Sequence, residues 1–146
     1  MELRKEEYSG DIHKKVYVSA EKGRKHIANN PAGQYEVRQY RLDGNIVKNM
    51  MCCDYLLLND SYMNAYYIEL KGSDIAHAVE QLEAGLRIFK ESLKNYTAFF
   101  RIVTSKTRTQ ELKSTKFRRF QRTMGKERII VKTNEIEETL KAELLL

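Results

Sequence analysis

The sequence predicts an α/β domain with a mixed central β-sheet flanked by helices. Strand-like apolar runs recur through residues 34–104, and a helix-like stretch separates the last two of these runs. Strands joined by a helix are expected to be parallel, whereas strands joined by short turns are expected to be antiparallel. With 146 residues and no linker-like segment, the chain is expected to form one domain, 1–146.

The N-terminal part predicts a short helix followed by a strand. Ser19 is a suitable cap for a helix from Ala20 to Asn29, which Pro31-Ala32-Gly33 would end. Gln34 to Leu42 alternates as a strand does, and the Asp43-Gly44 dipeptide that follows is a turn signal of the hairpin type.

A hairpin and a helix are predicted next. The second strand runs from about Ile46 to Leu58, and the third runs from Ala65 to Lys71 around a short polar loop. Ser73 then caps a helix whose apolar residues recur at helical spacing. The buried stripe of this helix is expected to comprise Ile75, Ala78, Val79, Leu82, Leu86 and Phe89.

Four elements are predicted in the last third. Thr97 to Thr104 predicts a fourth strand, parallel to the third. A basic helix around Phe117 to Met124 and a strand from Arg128 to Lys132 follow. Asn134 with Glu137 three residues later has the spacing of a capping box, which predicts a terminal helix.

Positive charge is concentrated in one segment. The net charge is +6, and ten of the 26 basic residues but only two of the 20 acidic residues lie between Lys106 and Lys132. Phe117, Phe120 and Met124 form an apolar stripe that would dock the basic helix on the core. A clustered basic face fits the backbone of nucleic acid, and a solvated surface helix is the alternative. The expected contacts to nucleic acid are Lys116, Arg118, Arg119, Arg122 and Lys126.

Membrane and disulfide classes are not favoured by the sequence. No apolar run approaches the length of a membrane span, and the charged N-terminal residues lack the apolar stretch of a signal peptide. The protein is therefore expected to be cytoplasmic, with no membrane partner. Cys52 and Cys53 are adjacent in an apolar segment, which suits small core residues better than a zinc site.

A carboxylate pair is the most informative chemical feature. Glu69 and Lys71 lie on one face of the third strand because side chains alternate along a strand. If Leu58 pairs with Ala65 across the hairpin, Asp54 lies opposite Glu69. Directly opposed residues have Cβ atoms about 4.5–5.5 Å apart, where two like charges are destabilising unless something compensates. A bound cation is the natural compensation.

This arrangement resembles the PD-(D/E)xK, or restriction-endonuclease-like, nuclease superfamily. The similar features are Asp54, the Glu69-x-Lys71 motif after a hairpin, a helix carrying Gln81 and a further strand. They cover roughly residues 34–104. The residue before Asp54 is Cys53, where the family's motif has proline. The resemblance implies a restriction-endonuclease-like core.

The resemblance also implies roles for individual residues. Asp54 and Glu69 would bind one or two divalent ions, Mg²⁺ or Mn²⁺, and Lys71 would be the catalytic lysine. Gln81 would be the polar helix residue beside the site. Many members add a glutamate from the first helix, and Glu21 is the best match. Glu36, on the predicted first strand, is the competing candidate.

The expected function is therefore a divalent-metal-dependent nuclease that hydrolyses phosphodiester bonds of nucleic acid, with DNA as the expected substrate. A homodimer is expected if the substrate is duplex. One alternative is a non-catalytic nucleic-acid-binding protein that retains the nuclease fold. Another is a protein-interaction module whose basic helix meets an acidic partner. If the carboxylate motif has no function, Glu69 would form an exposed cross-strand salt bridge with a lysine.

Overall fold

The computed structural model describes residues 1–4, 7–70, 74–106 and 109–141. Within these ranges the chain forms eight strands and three α-helices. The strands are β1 Val16–Glu21, β2 Arg24–Asn29, β3 Val37–Arg41, β4 Tyr55–Asn59, β5 Asn64–Leu70, β6 Thr97–Thr104, β7 Ile129–Thr133 and β8 Glu135–Thr139. The helices are α1 Ile75–Ile88, α2 Thr109–Leu112 and α3 Thr115–Met124. The α/β class predicted from the sequence is confirmed.

A mixed five-stranded sheet forms the centre, in the order β3-β4-β5-β6-β7. Strands β3, β4 and β5 are antiparallel, and β5, β6 and β7 are parallel. The predicted pairing of Leu58 with Ala65 is confirmed. The fourth strand has its predicted bounds and is parallel to β5, because α1 carries the chain back across the sheet.

The two faces of this sheet are covered differently. Helices α1 and α3 pack on one face, where the apolar core includes Val79, Leu82, Phe117 and Phe120. A second, three-stranded sheet of β1, β2 and β8 covers the other face, and Tyr17 contributes to the core between the sheets. The expectation that helices flank the central sheet is therefore correct for one face and wrong for the other.

The predicted helix from Ala20 to Asn29 is wrong. This segment contains the end of β1, the turn and all of β2, which pair antiparallel. Lys22 and Gly23 connect the strands with φ values of +49° and +82°. Two successive residues of positive φ make a tight hairpin turn and are incompatible with a right-handed helix. Glu21 therefore lies at a strand end and not on a first helix.

The predicted terminal helix is also wrong. Asn134 has a φ of +66°, and its N–H donates to the Thr104 carbonyl at 2.7 Å, so the chain turns there into β8. Ile136 and Leu140 are buried with a period of two, as expected for a strand covered on one face. Pairing with β2, more than 100 residues earlier in the chain, overrides the local capping signal.

Two other predicted boundaries are corrected. The second strand was expected from Ile46, but β4 begins at Tyr55. The turn at Asp43-Gly44 does form, since the Val47 N–H donates to the Leu42 carbonyl. At the start of α1, the cap is Asp74, whose Oδ1 accepts from the His77 N–H at 3.0 Å. The predicted cap Ser73 lies outside the described residues.

A buried ionic cluster ties the two sheets together. Arg101 of β6, only 2% exposed, donates from Nε and Nη2 to the Glu138 carboxylate of β8 at 2.7 and 2.9 Å. His26 Nε2 lies 2.6 Å from the same carboxylate. Burial alone would raise the pKa of the Glu138 carboxyl, but the His26 and Arg101 contacts outweigh it and lower the pKa to about 2. The cluster thus fixes β8 over the central sheet.

Candidate active site

The β4–β5 hairpin holds the predicted carboxylate pair. Asp54 directly precedes β4, and its N–H donates to the Ile68 carbonyl at 3.1 Å. The Leu70 N–H donates to Asp54 Oδ2 at 2.7 Å. These two bonds bracket Glu69, and the hairpin register continued by one residue places Asp54 opposite Glu69. The predicted juxtaposition of Asp54 and Glu69 is confirmed.

Glu69 is fully buried, with an exposed fraction of 0%. Every residue of β5 is buried, because the sheet is covered on both faces. The alternative in which Glu69 forms an exposed cross-strand salt bridge is therefore wrong. A glutamate is rarely buried to this extent unless a specific interaction holds it. Lys71, the predicted partner in the motif, lies outside the described residues.

The environment of Asp54 makes its charge costly. Burial raises the pKa of the Asp54 carboxyl, and the bond from the Leu70 N–H lowers it in part. The nearby Glu21 carboxylate raises the pKa again, while a hydrogen bond with Glu69 lowers it. The result is a pKa of about 6. The Glu21 carboxylate of the three-stranded sheet and the Glu69 carboxylate of the central sheet therefore both affect the pKa of Asp54.

Glu21 of the second sheet lies beside Asp54. It lines a polar cavity of about 240 Å³ together with Ala20, Arg41, Asp43, Asp54 and Tyr55. Sequence reasoning selected Glu21 as a helical residue, whereas the tight β1–β2 hairpin is what presents it. The exposed side chains of Arg41 and Asp43 were not selected. Asp43 was seen only as part of a turn, and no local pattern relates either residue to Asp54.

The other two candidates lie elsewhere. Gln81 is buried in α1, and its Nε2 donates to the Cys52 carbonyl at 3.3 Å. It braces the segment that leads to Asp54. Glu36 is exposed at the opposite end of the hairpin, where its N–H donates to Ser61 Oγ at 2.9 Å. Its backbone position therefore separates it from Asp54, so the structure brings Glu21 and not Glu36 beside Asp54.

The adjacent cysteines bring α1 close to the site. Cys52 and Cys53 are free thiols with no exposed surface, as expected for small core residues. A Cβ at Gly85 of α1 would lie 2.9 Å from Cys53 Sγ, closer than side chains pack. Glycine at this position lets the helix backbone rest on the thiols. The hydrogen bond with Cys52 and burial together raise the pKa of the Cys53 thiol.

The carboxylates of Asp54 and Glu69 offer oxygen donors, which are the ligands that hard divalent cations prefer. Among residues 1–4, 7–70, 74–106 and 109–141, no group of three or more His, Cys, Asp and Glu side chains is arranged to hold a metal. Mg²⁺ does not need such a group, because it is usually held by one or two carboxylates with waters and substrate phosphates. Asp54, which lines the polar cavity, and the buried Glu69 beside it carry oxygen atoms of the type that such an ion prefers.

The basic helix has the predicted orientation. Phe117 and Phe120 are buried, and the Phe120 ring meets Phe100 edge-on at 5.0 Å between centroids. Lys116 is engaged with α1, since its Nζ lies 3.5 Å from Glu80 and 3.6 Å from Glu83 carboxylate oxygens. The side chains that remain exposed and basic are Arg118, Arg119, Arg122 and Lys126.

Comparisons with known proteins add no assignment. No family model, no curated protein and no solved structure matches this chain. In the described part of the chain, no helix has the length and apolar character needed to cross a membrane.

The raised pKa of Asp54 predicts a pH-dependent gain in stability on its removal. In the metal-free protein, the folded pKa of about 6 exceeds the ordinary value of 3.8 for an aspartate, so the folded state binds more protons between these pH values. Stability therefore falls as pH rises through this window, by up to about 3 kcal/mol. Asp54→Asn should raise the free energy of unfolding in EDTA near pH 7 by up to that amount.

Urea denaturation at several pH values measures this effect. The gain should shrink as pH falls below about 6 and be nearly absent at about pH 4. Glu36→Gln, which alters an exposed carboxylate at the far end of the hairpin, is the matched control and should change stability little. A gain from Asp54→Asn that is equal at all pH values would contradict the assigned cause.

Proposed function

We propose that this protein is a divalent-metal-dependent nuclease that hydrolyses phosphodiester bonds of nucleic acid, with DNA as the expected substrate. The observation that carries the proposal is the pairing of Asp54 with the buried Glu69 at one end of the β4–β5 hairpin. Ionised carboxylates held this close destabilise the fold unless a cation joins them.

Asp54 and Glu69 would hold the ion, Mg²⁺ or Mn²⁺, and Glu21, which interacts with Asp54, is the third candidate ligand. The bound ion would supply a more acidic water and a positive charge near the phosphoryl oxygens. The surrounding residues of the chain orient the Asp54 carboxylate. The Leu70 N–H holds Asp54 Oδ2 in place, and Gln81 fixes the backbone two residues earlier. Lys71 is proposed to position the attacking water or to stabilise developing charge.

The order of elements supports a restriction-endonuclease-like core. A hairpin carrying both carboxylates, a helix and a parallel strand follow one another as β4, β5, α1 and β6. On this proposal, the sheet of β1, β2 and β8 is an addition that delivers Glu21 to the site.

Affinity for nucleic acid is proposed to come from the exposed basic face of α3. A phosphate backbone is attracted by such a face irrespective of sequence. Cleavage of both strands of a duplex by a chain with one site would call for a homodimer. We propose that the protein acts as a homodimer on a duplex substrate. We also propose a cytoplasmic location.

The proposal is tested by incubating the purified protein with Mn²⁺ and a panel of substrates: supercoiled, linear, nicked, branched and single-stranded DNA, and RNA. Cleavage of at least one substrate is expected, with no cleavage in EDTA. Binding without cleavage on any substrate would instead support the alternative, a nucleic-acid-binding protein that retains the fold. That alternative is favoured by the absence of a ready-made metal cage in the described residues.

The basic face of α3 gives a separate prediction. Replacing Arg118, Arg119 and Arg122 together should weaken binding similarly for all sequences. Each lost phosphate contact on duplex DNA lowers the magnitude of the log–log salt slope by about 0.9, so three lost contacts lower it by roughly 2.7. Cleavage at saturating substrate should persist, because these side chains supply affinity and no chemistry.

The matched control is Lys116→Gln on the same helix. Its charge is already engaged by Glu80 and Glu83, so the salt slope should change less than for one exposed arginine. Fluorescence anisotropy across a salt series measures both slopes. An unchanged slope in the triple variant would identify this face as a solvated surface or a site for an acidic protein partner.

A further inference from the structure

Two arginines that local sequence patterns do not single out lie beside the carboxylates. Arg24 is the Cα partner of Glu21 across the β1–β2 hairpin, and its Nε donates to the Leu70 carbonyl at 3.3 Å. Arg41 ends β3 and lines the same polar cavity as Glu21 and Asp54. Cationic side chains from β2 and β3 therefore approach the carboxylate cluster from two elements.

Arg41 is not committed to a structural ion pair. No carboxylate in the described ranges lies within ion-pairing distance of its guanidinium, although Glu21, Asp43 and Asp54 line the same cavity. Arg38 on the same strand shows the contrast. Its Nε and Nη2 both donate to the Asp60 carboxylate, and its Nη1 donates to the Tyr40 hydroxyl. Arg41 is also exposed, so its donors remain accessible to a ligand.

The cavity is rich in negative charge, part of which Arg41 can offset when a phosphodiester binds. Four carboxylates lie in or beside the cavity: Glu21, Asp43, Asp54 and Glu69. A phosphodiester that enters this place carries a further negative charge and is repelled. One divalent ion offsets two of these charges, and an arginine on the cavity wall offsets another. The planar guanidinium also matches two phosphate oxygens with paired hydrogen bonds, which a lysine ammonium does not.

We propose that Arg41 binds the non-bridging oxygens of the phosphodiester that is cut, and thereby orients it against Asp54 and Glu69. This inference rests on the proposed nuclease function and assigns the ligand of the cavity wall as a phosphodiester. Arg24 has a positioning role, because its Nε is already used to hold the end of β5 at Leu70. Arg41 thus binds the substrate, and Arg24 supports the end of β5.

The test compares Arg41→Gln and Arg41→Lys with the wild type on whichever substrate of the panel is cut. Arg41→Gln should lower kcat/KM by about 10- to 100-fold, the range expected for a charged hydrogen-bonded contact. Arg41→Lys should recover part of this loss, since it keeps the charge and loses the paired geometry. Lys25→Gln is the matched control, because Lys25 has a 49% exposed side chain paired with Glu135 and is the neighbour of Arg24.

A second readout separates substrate binding from damage to the cluster. Calorimetric titration with Mn²⁺ alone should give an affinity for Arg41→Gln no weaker than that of the wild type, and its melting temperature should be unchanged. If the wild type cuts and Arg41→Gln matches it in kcat/KM, the inference is wrong and the nuclease function stands. If the wild type neither cuts nor binds Mn²⁺, the nuclease function fails and the inference fails with it.

Discussion

Glu69→Gln and Asp54→Asn are each expected to abolish metal-dependent cleavage. Each substitution removes one of the two charged oxygen ligands that are proposed to hold the ion. Loss of the several kcal/mol that a metal ion provides to phosphoryl transfer corresponds to a rate decrease of about a thousandfold or more. The decrease is measured as the rate at which each variant, with Mn²⁺ present, cleaves the substrate that the wild type cuts.

The same variants should keep their fold and their affinity for nucleic acid. The exposed arginines that are proposed to supply affinity for the nucleic-acid backbone lie on α3 and are not part of the carboxylate pair. Glu36→Gln is again the matched control, because it removes an exposed carboxylate that directly precedes β3 and does not contact the site. Wild-type cleavage in both Glu69→Gln and Asp54→Asn would rule out the metal site.

Glu138→Gln is expected to destabilise the fold by about 3–5 kcal/mol, the range found when one partner of a buried ion pair is removed. Arg101 is 2% exposed and directs two donors at the Glu138 carboxylate. Without that charge, the guanidinium stays buried between the two sheets with no counterion. Urea denaturation near pH 7 gives the difference in the free energy of unfolding.

The pH dependence follows from the same contacts. The folded pKa of Glu138, about 2, lies below the ordinary value of 4.5 for a glutamate, so its contribution to stability is present above pH 4.5 and is lost as pH falls toward 2. The neighbouring Glu137 is exposed and accepts one bond from Asn29 Nδ2, which makes Glu137→Gln the matched control. A Glu138→Gln protein within about 1 kcal/mol of the wild type would show that the cluster is not a structural tie.

Elements defined by neighbouring residues could be predicted from the sequence. The β4–β5 hairpin has a short loop and apolar strands, so its register followed from pairing Leu58 with Ala65. Strand β6 is a short, mostly apolar run bounded by threonines, and helix α3 carries an apolar stripe at helical spacing. The pairing of Asp54 with Glu69 was predictable for the same reason, because both lie in one hairpin.

Elements defined by distant residues could not be predicted in this way. β8 pairs with β2, and its Glu138 meets Arg101, so its conformation depends on residues far away in the chain. The capping-box spacing at Asn134 is a local signal that this pairing overrides. The Lys22-Gly23 turn was a local signal for a hairpin, but the helix propensity of the flanking residues obscured it.

The same distinction between local and distant residues applies to the candidate site. The position of Asp54 opposite Glu69 follows from the register of the β4–β5 hairpin. The positions of Glu21, Arg24 and Arg41 follow from the packing of the second sheet over the first, which no single segment encodes. Gln81 was placed on the correct helix, but its burial and its bond to the Cys52 carbonyl required the fold.

Calorimetric titration of the metal-free protein with Mn²⁺, in parallel with Asp54→Asn, tests the central claim most directly. Binding of the ion at the carboxylate pair predicts saturable heat for the wild type near pH 7, where the Asp54 carboxyl is ionised, and its loss in Asp54→Asn. It also predicts a rise in the wild-type melting temperature with Mn²⁺, because a ligand that binds only the folded state stabilises it. Equal heats from the two proteins, or none from either, would contradict a metal site at Asp54 and Glu69.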